Sequence, residues 1–244
     1  MAGTVLLVLK SSLMRKILPA LPALLFAFSF VSCASSKHYT NTLFEEQTAH
    51  HKVVAVLPTE MVFTGKLPKD LSPEDISSIE ETESRSFQYS LYNSILRYAN
   101  RRNYYTRVNL QDLSTTQKLL EDAGITIRDS WKQDDKTLAK ILGVDAVVRM
   151  RIEKKRYMSD LASMGIDMGR KVLNRTVSAL KIPISSVSNK TNDVIASCNV
   201  VSNNLTLWND SYKGGTDYNI PSDKMIEEIT NSFGRHFPYK QRNG

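Results

Sequence analysis

The residue whose type and surroundings most clearly predict chemistry is Cys33. It follows 32 residues that contain three basic side chains and no acidic one, with an almost purely apolar run over 17–31. A basic start, a short apolar run and small residues at the cut are the parts of a secretory signal. The run is shorter than the roughly 20 residues of a membrane-spanning helix, and it contains Pro19 and Pro22. The sequence therefore predicts a cleavable export signal over 1–32.

The residues Phe30-Val31-Ser32-Cys33 resemble the lipobox of bacterial lipoproteins, although Phe30 stands where leucine is usual. The resemblance implies cleavage before Cys33 and its modification with diacylglycerol and an N-linked acyl chain such as palmitate. One acyl chain holds a protein at a bilayer only marginally, whereas two or three hold it stably. Two alternatives stay open: a signal cleaved elsewhere, which leaves Cys33 as a free thiol, and a translation start at Met14 instead of Met1.

The second cysteine, Cys198, is left without a partner if Cys33 carries lipid, so no disulfide framework is expected. Its apolar, alternating neighbours predict a buried and inert thiol, with a reactive thiol as the alternative. Residues 33–244 carry a net charge of about +4. This mild excess fits plain solubility or a position near anionic lipid or cell-wall polymer, and no nucleic-acid partner is expected for an exported chain.

The other groups with potential chemistry are four histidines and three acidic pairs. No His-Glu-x-x-His motif and no cysteine pair with zinc-ligand spacing occurs, and His236 is predicted to be a packed terminal histidine. The acidic pairs are interpreted as tether, helix-start or solvated carboxylates: Glu45-Glu46, Asp134-Asp135 and Glu227-Glu228. There is no Gly-x-Ser-x-Gly motif and no phosphate-binding glycine loop. We therefore predict no catalytic residues, no metal site and no cofactor.

The segment 158–192 is irregular and is the predicted partner-binding part of the chain. Its glycines, four residues apart, would let a partner helix approach closely, and its methionines could adapt to such a helix. The candidate partner surface comprises Met158, Leu161, Met164, Gly165, Met168 and Gly169. Two alternatives stay open: a plain loop and helix that cover the sheet, and a hairpin inserted in the membrane. The alternate residues from Val172 to Ser178 are too polar to form the apolar, lipid-facing row that such a hairpin needs.

These residues need a scaffold, and the hydrophobic periodicity predicts one. Strands are predicted at 51–57, 104–110, 146–153, 194–200 and 205–210, and helices over 84–102, 114–123, 134–142 and from 221 onward. The order is β-α-β-α-α-β, a variable segment, then β-β-α. This order predicts an α/β fold (an α+β sandwich) with helices packed on a mixed sheet of about five strands.

Domain boundaries follow from the same patterns. The signal covers 1–32, a polar lipidated tether covers 33–50, and a single α/β domain covers 51–240 with the insertion 158–192. The basic row Lys154-Lys155-Arg156 is interpreted as a solvated strand end, with contact to anionic lipid headgroups as the alternative.

Three segments resemble a superfamily of periplasmic lipoprotein domains that includes CsgG, the amino-terminal domain of TolB, and LpoB. They are Lys52-Val-Val-Ala-Val-Leu-Pro58, Leu138-Ala-Lys-Ile-Leu-Gly-Val-Asp-Ala-Val-Val148 and Leu205-Thr-Leu-Trp208. The chain departs from the pattern at Thr59, where phenylalanine is usual, and at Asn203-Asn204, where an Asp-Gly turn is usual. The resemblance implies proteins that bind other proteins, build export pores or help assemble the envelope. It supplies no catalytic residue.

Together these features predict a non-enzymatic lipoprotein that binds a periplasmic or outer-membrane protein partner. The residue after Cys33 is Ala34 and not the aspartate of the inner-membrane sorting rule, which favours the outer membrane and a periplasm-facing domain. One alternative is a subunit of an oligomeric CsgG-like secretion pore, so a homo-oligomer stays open. A third class is a cell-wall hydrolase.

Overall fold

Nine strands and six helices are formed by the residues that the computed structural model describes, namely 38–65, 72–99, 101, 103–156, 192–216 and 222–242. The strands β1 to β9 are Tyr39–Thr40, Val53–Val56, Glu60–Gly65, Tyr104–Thr106, Asn109–Leu110, Ala146–Arg156, Asn192–Ser202, Leu205–Thr216 and Lys240–Arg242. The helices α1 to α6 are Phe44–Thr48, Pro73–Ala99, Leu113–Asp122, Ile127–Lys132, Asp135–Leu142 and Ser222–Arg235.

Seven strands form one mixed sheet in the order β1-β8-β7-β6-β2-β5, with β3 beside the second half of β6. The pairs β2–β5, β2–β6 and β3–β6 are parallel, and the pairs β6–β7, β7–β8 and β1–β8 are antiparallel. Strands β4 and β9 form a separate antiparallel pair. The mixed α/β class predicted from the sequence is therefore confirmed. The sheet exceeds the expected five strands because β1 and β3 also join it.

The hairpin of β7 and β8 is confirmed, and it is longer than its sequence pattern suggests. Its turn residues Asn203 and Asn204 both have positive φ, 49° and 61°, which is the backbone of a type I′ turn that matches strand twist. A glycine pair commonly ends a strand, which predicts that the hairpin stops at Gly214-Gly215; this prediction is wrong, because the pair lies inside β8. The backbone ladder continues past it because Asn192 pairs with Thr216.

Helix ends are fixed by side-chain caps, not all of which match the sequence prediction. The run Ser114-Thr-Thr-Gln117 matches a capping box and predicts a helix that starts there. This prediction is wrong, because helix α3 is capped by Asp112, whose carboxylate accepts the Ser114 N–H at 2.8 Å. Asp112 is the cap because its carboxylate reaches the first backbone N–H groups of the helix, which have no carbonyl partner within it. Helix α5 begins after the cap Asp134 and ends at Gly143 with φ of 65°, as predicted.

Both faces of the sheet are covered, but by cores of unequal size. On one face, α2 and α6 pack their apolar stripes on alternate residues of the strands, with Val54 and Val56 pointing to this side. On the other face, α3 and α5 pack against Ala55 and Leu57. Strand β2 is therefore buried on both sides, as its continuous apolar run predicts. Helices α2 and α6 thus form one outer layer, and Phe237 and Tyr239, which follow α6, pack in the same core.

The polar composition predicts a tether up to residue 50, but residues 39–48 form β1 and α1 against the domain. Tyr39 and Thr40 pair with Asn209 and Trp208 of β8. On α1, Phe44 is 3% exposed and packs in the larger core. A single aromatic anchor outweighs the polar character of its neighbours, because burying a phenylalanine side chain contributes about 1.5–3 kcal/mol. Cys33 and the residues around it lie outside the described ranges.

Candidate functional site

The predicted partner surface, from Met158 to Gly169, lies outside the described residues, but the strands on either side of it are described. Arg156 at the end of β6 pairs with Asn192 at the start of β7. Gly65 of β3 pairs with Arg156, and Thr216 of β8 pairs with Asn192. Four strands therefore end together at one edge of the sheet. We call this edge, formed by Gly65, Arg156, Asn192 and Thr216, the insertion edge, because the segment 157–191 begins and ends there.

The basic row next to the insertion edge does end strand β6, yet it is less solvated than its sequence suggests. The side chain of Lys154 is only 12% exposed and forms an ion pair with Glu83 of α2. Its ammonium group also lies 5.6 Å and 5.8 Å from the ring centroids of Phe63 and Phe87. Lysine stems pack well on apolar surface while the charged end keeps a polar partner. Lys154 therefore joins β6 to α2, and the interpretation of a solvated strand end is wrong for this residue.

A second feature is an open cavity of about 410 Å³ beside the first described residues. Its wall contains His38, Thr40 of β1, and Phe44 and Glu45 of α1. It also contains Trp208 of β8, Arg235 at the end of α6, His236 to Pro238, and Lys240 of β9. We call it the tether cavity, because its wall contains His38, the first described residue, five positions after Cys33.

His236 in this wall forms a carboxylate–imidazole pair with Asp210 of β8. Asp210 is 3% exposed, and its second oxygen lies 2.8 Å from Nδ1 of His236. The first oxygen accepts the backbone N–H of Ser211 at 2.8 Å. The His236 ring stacks on the His38 ring with 5.2 Å between centroids. The pair holds the imidazole in one orientation, because a carboxylate on Nδ1 fixes the ring.

The sequence prediction of a packed terminal histidine is wrong in its burial, because the His236 side chain is 40% exposed, although its ring stacks on His38 and binds Asp210. A nucleophilic triad would also need a hydroxyl or thiol within hydrogen-bond reach of the imidazole. Across the described ranges, no serine, threonine or cysteine side chain forms a hydrogen bond with His236. The arrangement can present a positively charged, polar surface to an anion, with Arg235 and Lys240 in the same wall.

Cys198 lies on the core side of β7 and is 1% exposed, so the prediction of a buried thiol is confirmed. Burial raises the pKa of the thiol well above its ordinary range, and the nearby charge of Asp210 raises it further. Since the thiolate is the reactive form, a buried thiol with a raised pKa is a poor nucleophile and a poor metal ligand.

Three further observations are limited to the described part of the chain. No group of three His, Cys, Asp or Glu side chains there is arranged to hold a metal ion. None of the helices there combines the length and the apolar character that crossing a bilayer requires. A smaller cavity of about 230 Å³ lies beside Pro58, just after β2, where Gln88 of α2 donates a hydrogen bond to the Val56 carbonyl at 2.8 Å.

No protein-family model matches this chain, and no curated protein matches it. Among solved structures, it is similar to the lipoprotein GNA1162 from Neisseria meningitidis, at 13% identity and a TM-score of 0.39, covering 75% of this chain and 94% of that one. It is similar to the C-terminal domain of LpoB from Salmonella enterica, at 11% identity and a TM-score of 0.29, covering 72% and 93%. It is also similar to a PelC dodecamer from Paraburkholderia phytofirmans, at 10% identity and a TM-score of 0.35, covering 76% and 87%.

LpoB belongs to the superfamily that the sequence patterns resemble. At these identities and TM-scores, the similarities carry no argument for the activity or the partner of this chain. The proposals below therefore depend on its own residues.

The tether cavity is the feature that sequence reasoning missed. One signal could have indicated it: Asp210 is in phase with Trp208 on β8, so the strand alternation puts a carboxylate on a buried row. A buried carboxylate requires a hydrogen-bonding partner. His236 was available as that partner, but only the fold brings the two side chains, 26 positions apart, within 2.8 Å of each other.

Proposed function

We propose that this chain is a non-enzymatic, lipid-anchored protein of the bacterial outer membrane whose domain faces the periplasm and binds an envelope protein. Diacylglycerol and an N-linked acyl chain on Cys33 form the anchor. The segment 158–192, with Met158, Leu161, Met164, Gly165, Met168 and Gly169, forms the partner surface.

The observation that carries the partner part of the proposal is the pairing of Arg156 with Asn192. Both ends of the segment are held in neighbouring strands, so the segment leaves the sheet and returns at one place. The backbone ladders of β3, β6, β7 and β8 make this edge a firm base. A binding segment carried by paired strands is a common way to combine recognition with a rigid scaffold.

The anchor is supported by the residues before and after Cys33. The export signal and the lipobox-like run precede it, and β1 begins at Tyr39, six positions later. The acyl chains therefore hold the domain close to the bilayer, because five to six residues span at most about 20 Å.

The anchor is tested by expressing the full chain with Cys33→Ala and following radiolabelled palmitate, processing and fractionation. We expect wild-type protein and the Cys198→Ala control to be labelled and to fractionate with the outer membrane. The Cys33→Ala protein should be unlabelled and unprocessed at this position. Membrane fractionation of Cys33→Ala with unchanged processing would overturn the anchor, as would a mature protein that begins at another residue.

The partner surface is tested by crosslinking in intact envelopes, using the double substitution Gly165→Leu/Gly169→Leu. A leucine pair at these positions would prevent close approach of a partner helix. We expect a specific crosslinked protein to be lost while the protein level and processing stay unchanged. Lys118→Gln/Lys140→Gln, on the exposed faces of α3 and α5, is the matched control. Detergent-dependent rings with channel activity would instead support a secretion pore, and turnover of peptidoglycan fragments would support a hydrolase.

A further inference from the structure

Four cations gather where α2 and α6 end and β9 begins: Arg101, Arg235, Lys240 and Arg242. We call them the basic patch. The guanidinium carbons of Arg101 and Arg235 lie 4.4 Å and 5.4 Å from the ring centroid of Tyr98. Nε of Arg235 donates a hydrogen bond to the Tyr98 hydroxyl at 3.2 Å. One tyrosine ring thus brings two arginines from different parts of the chain together.

The second half of the patch is built on the β4–β9 pair. Lys240 and Arg242 lie on the same face of β9, because side chains alternate along a strand. Arg242 is opposite Tyr104, and the ammonium group of Lys240 lies 5.0 Å from the Tyr104 ring centroid. Tyr104 is 39% exposed. Exposed tyrosines beside lysine and arginine are typical of surfaces at the membrane–water interface.

The positive charge of the patch is not neutralised within the described residues, where none of its four members forms a salt bridge. Two carboxylates on the helices α1 and α6 are engaged by other arginines. Glu45, in the wall of the tether cavity, binds Arg107 at 2.8 Å. Glu227 of α6 binds Arg97 at 3.2 Å. Like charges held together in this way favour an external anion.

Lys240 lies close to other positive charges of the patch, and this affects the pKa of its ammonium group. Partial burial lowers the pKa of its ammonium group, and the charge of Arg101 lowers it further. Its Nζ donates a hydrogen bond to the backbone carbonyl of Arg235, which fixes the side chain beside that arginine. An anion between these side chains would relieve the repulsion between Arg101 and Lys240.

The chain length places this surface near the proposed anchor. Only four residues separate Cys33 from His38, so the two lie at most about 18 Å apart. His38 stacks on His236, and both line the tether cavity with Arg235 and Lys240. With Cys33 acylated, the bilayer surface is therefore within reach of the basic patch.

We propose that the basic patch binds the phosphate groups of anionic phospholipids in the bilayer that holds Cys33. The inference rests on the proposed acylation, because the short connection from Cys33 is what brings the patch to lipid. Tyr104 then lies at headgroup level, and the domain is held in one orientation on the membrane instead of rotating freely on its tether.

The test uses the mature chain 33–244 with Cys33→Ala, so that vesicle binding measures the patch and not the acyl chains. Sedimentation is compared between vesicles of phosphatidylethanolamine with 30 mol% phosphatidylglycerol and vesicles in which phosphatidylcholine replaces the phosphatidylglycerol. We expect binding to the anionic vesicles only, weakened by raising the salt concentration. Each cation near an anionic surface strengthens binding about fivefold, so Arg101→Gln/Lys240→Gln should weaken binding roughly 20- to 30-fold.

The Lys118→Gln/Lys140→Gln protein removes the same charge from exposed faces of α3 and α5 and should bind within about twofold of the parent. Arg101→Gln/Arg242→Gln leaves the Lys240 hydrogen bond intact and should behave like the first double substitution. Equal binding by patch and control variants overturns the proposal, as does binding to sedimented peptidoglycan in place of vesicles. Failure of Cys33 labelling in the full chain would overturn the anchor and the orientation at that bilayer, whereas the vesicle assay measures the lipid affinity of the patch separately, so the two failures are distinguishable.

Discussion

Replacing Gly234 by alanine tests the closest approach of α2 and α6. A Cβ atom at this position would lie 2.5 Å from Ser94 Oγ, 2.8 Å from the Ser94 carbonyl carbon and 2.9 Å from its oxygen. Two of these three atoms belong to the backbone, so no change of rotamer relieves the clash. The two helices would have to separate by roughly 0.5–1 Å, which forfeits a quarter to a half of the dispersion energy of each contact they share.

The change in the free energy of unfolding caused by Gly234→Ala follows from two opposed effects. Overpacking of a tight contact costs about 1–3 kcal/mol, and here it disturbs the buried side chains Ile95, Ile229 and Phe233 around the crossing. Alanine has the higher helix propensity, by at most about 1 kcal/mol, and Gly234 is near the end of α6, where this gain is smaller. We therefore expect the free energy of unfolding to fall by about 1–2 kcal/mol.

Urea denaturation followed by circular dichroism measures this change as a lower midpoint with an unchanged m-value. The melting temperature should fall by about 2–8 °C. Ser232→Ala is the control, because two positions along a helix turn a side chain about 200° away from Gly234, and it should leave the midpoint unchanged or slightly raised. A midpoint for Gly234→Ala equal to that of wild type would refute the reasoning, because it would mean that the helices do not meet through this glycine.

Two other predictions concern the start of β6 and the buried thiol. The Asp145 carboxylate accepts hydrogen bonds from the backbone N–H groups of Lys52 and Val53 at 2.7 Å and 2.9 Å. Burial alone would raise the pKa of this carboxyl, but the hydrogen bonds outweigh burial, and the pKa lies below its ordinary value. Asp145→Ala should lower the free energy of unfolding by about 1–2 kcal/mol near pH 7. A carboxyl with a lowered pKa contributes stability that is lost as the pH falls through that pKa, so the urea midpoints of the two proteins should converge below about pH 4. A constant difference between the midpoints from pH 7 to 2 would contradict this. Cys198 in the folded Cys33→Ala protein should react with a thiol reagent at least about 1,000-fold more slowly than in guanidinium, and comparable rates would show that β7 opens locally.

The sequence predicted best those elements whose local signals and tertiary contacts agree. Helix α5 carries a cap at Asp134, an apolar stripe and a C-terminal glycine, and its bounds match the prediction almost to the residue. The β7–β8 turn is equally local, because Asn203 and Asn204 tolerate the left-handed backbone that a two-residue hairpin needs. Such elements need no information from distant parts of the chain.

Helix α2 shows where a local signal existed and was overlooked. Its predicted start at residue 84 is wrong by 11 positions, because the polar run before it resembles a loop. However, Ser72 and Asp75 exchange two hydrogen bonds, 3.0 Å and 3.1 Å long, in a capping box around Pro73. Serine, then proline, then an acidic residue at the third helical position is a helix-start pattern. The added turns are also held by an ion pair between Glu83 and Lys154, which no sequence pattern indicates.

Strands β1 and β3 could not be predicted because they depend on their neighbours. Both are short or half-exposed, and neither has a clear alternation. Strand β3 forms because β6 continues for 11 residues while β2 pairs only with its first part, up to Val148. The far half of β6 would otherwise expose unpaired backbone groups. Strand β3 pairs with these backbone groups, with Met61 opposite Ile152, and Met61 is buried in the larger core.

The lengths of the elements relate the two proposals to each other. Along β8, Thr216 at the insertion edge lies six positions after Asp210, the partner of His236 in the cavity wall, which is about 20 Å of strand. Helix α6 runs back over a similar distance, since its 14 residues span about 20 Å and end at Arg235 in the basic patch. The strand length therefore sets a separation of about 20 Å between the proposed lipid-binding end of the domain and the proposed partner surface. If the basic patch holds the domain against the bilayer, the segment 158–192 starts about 20 Å from the headgroups, so partner crosslinks should fall on periplasmic parts of the partner. Crosslinks confined to its membrane-embedded residues would contradict this arrangement.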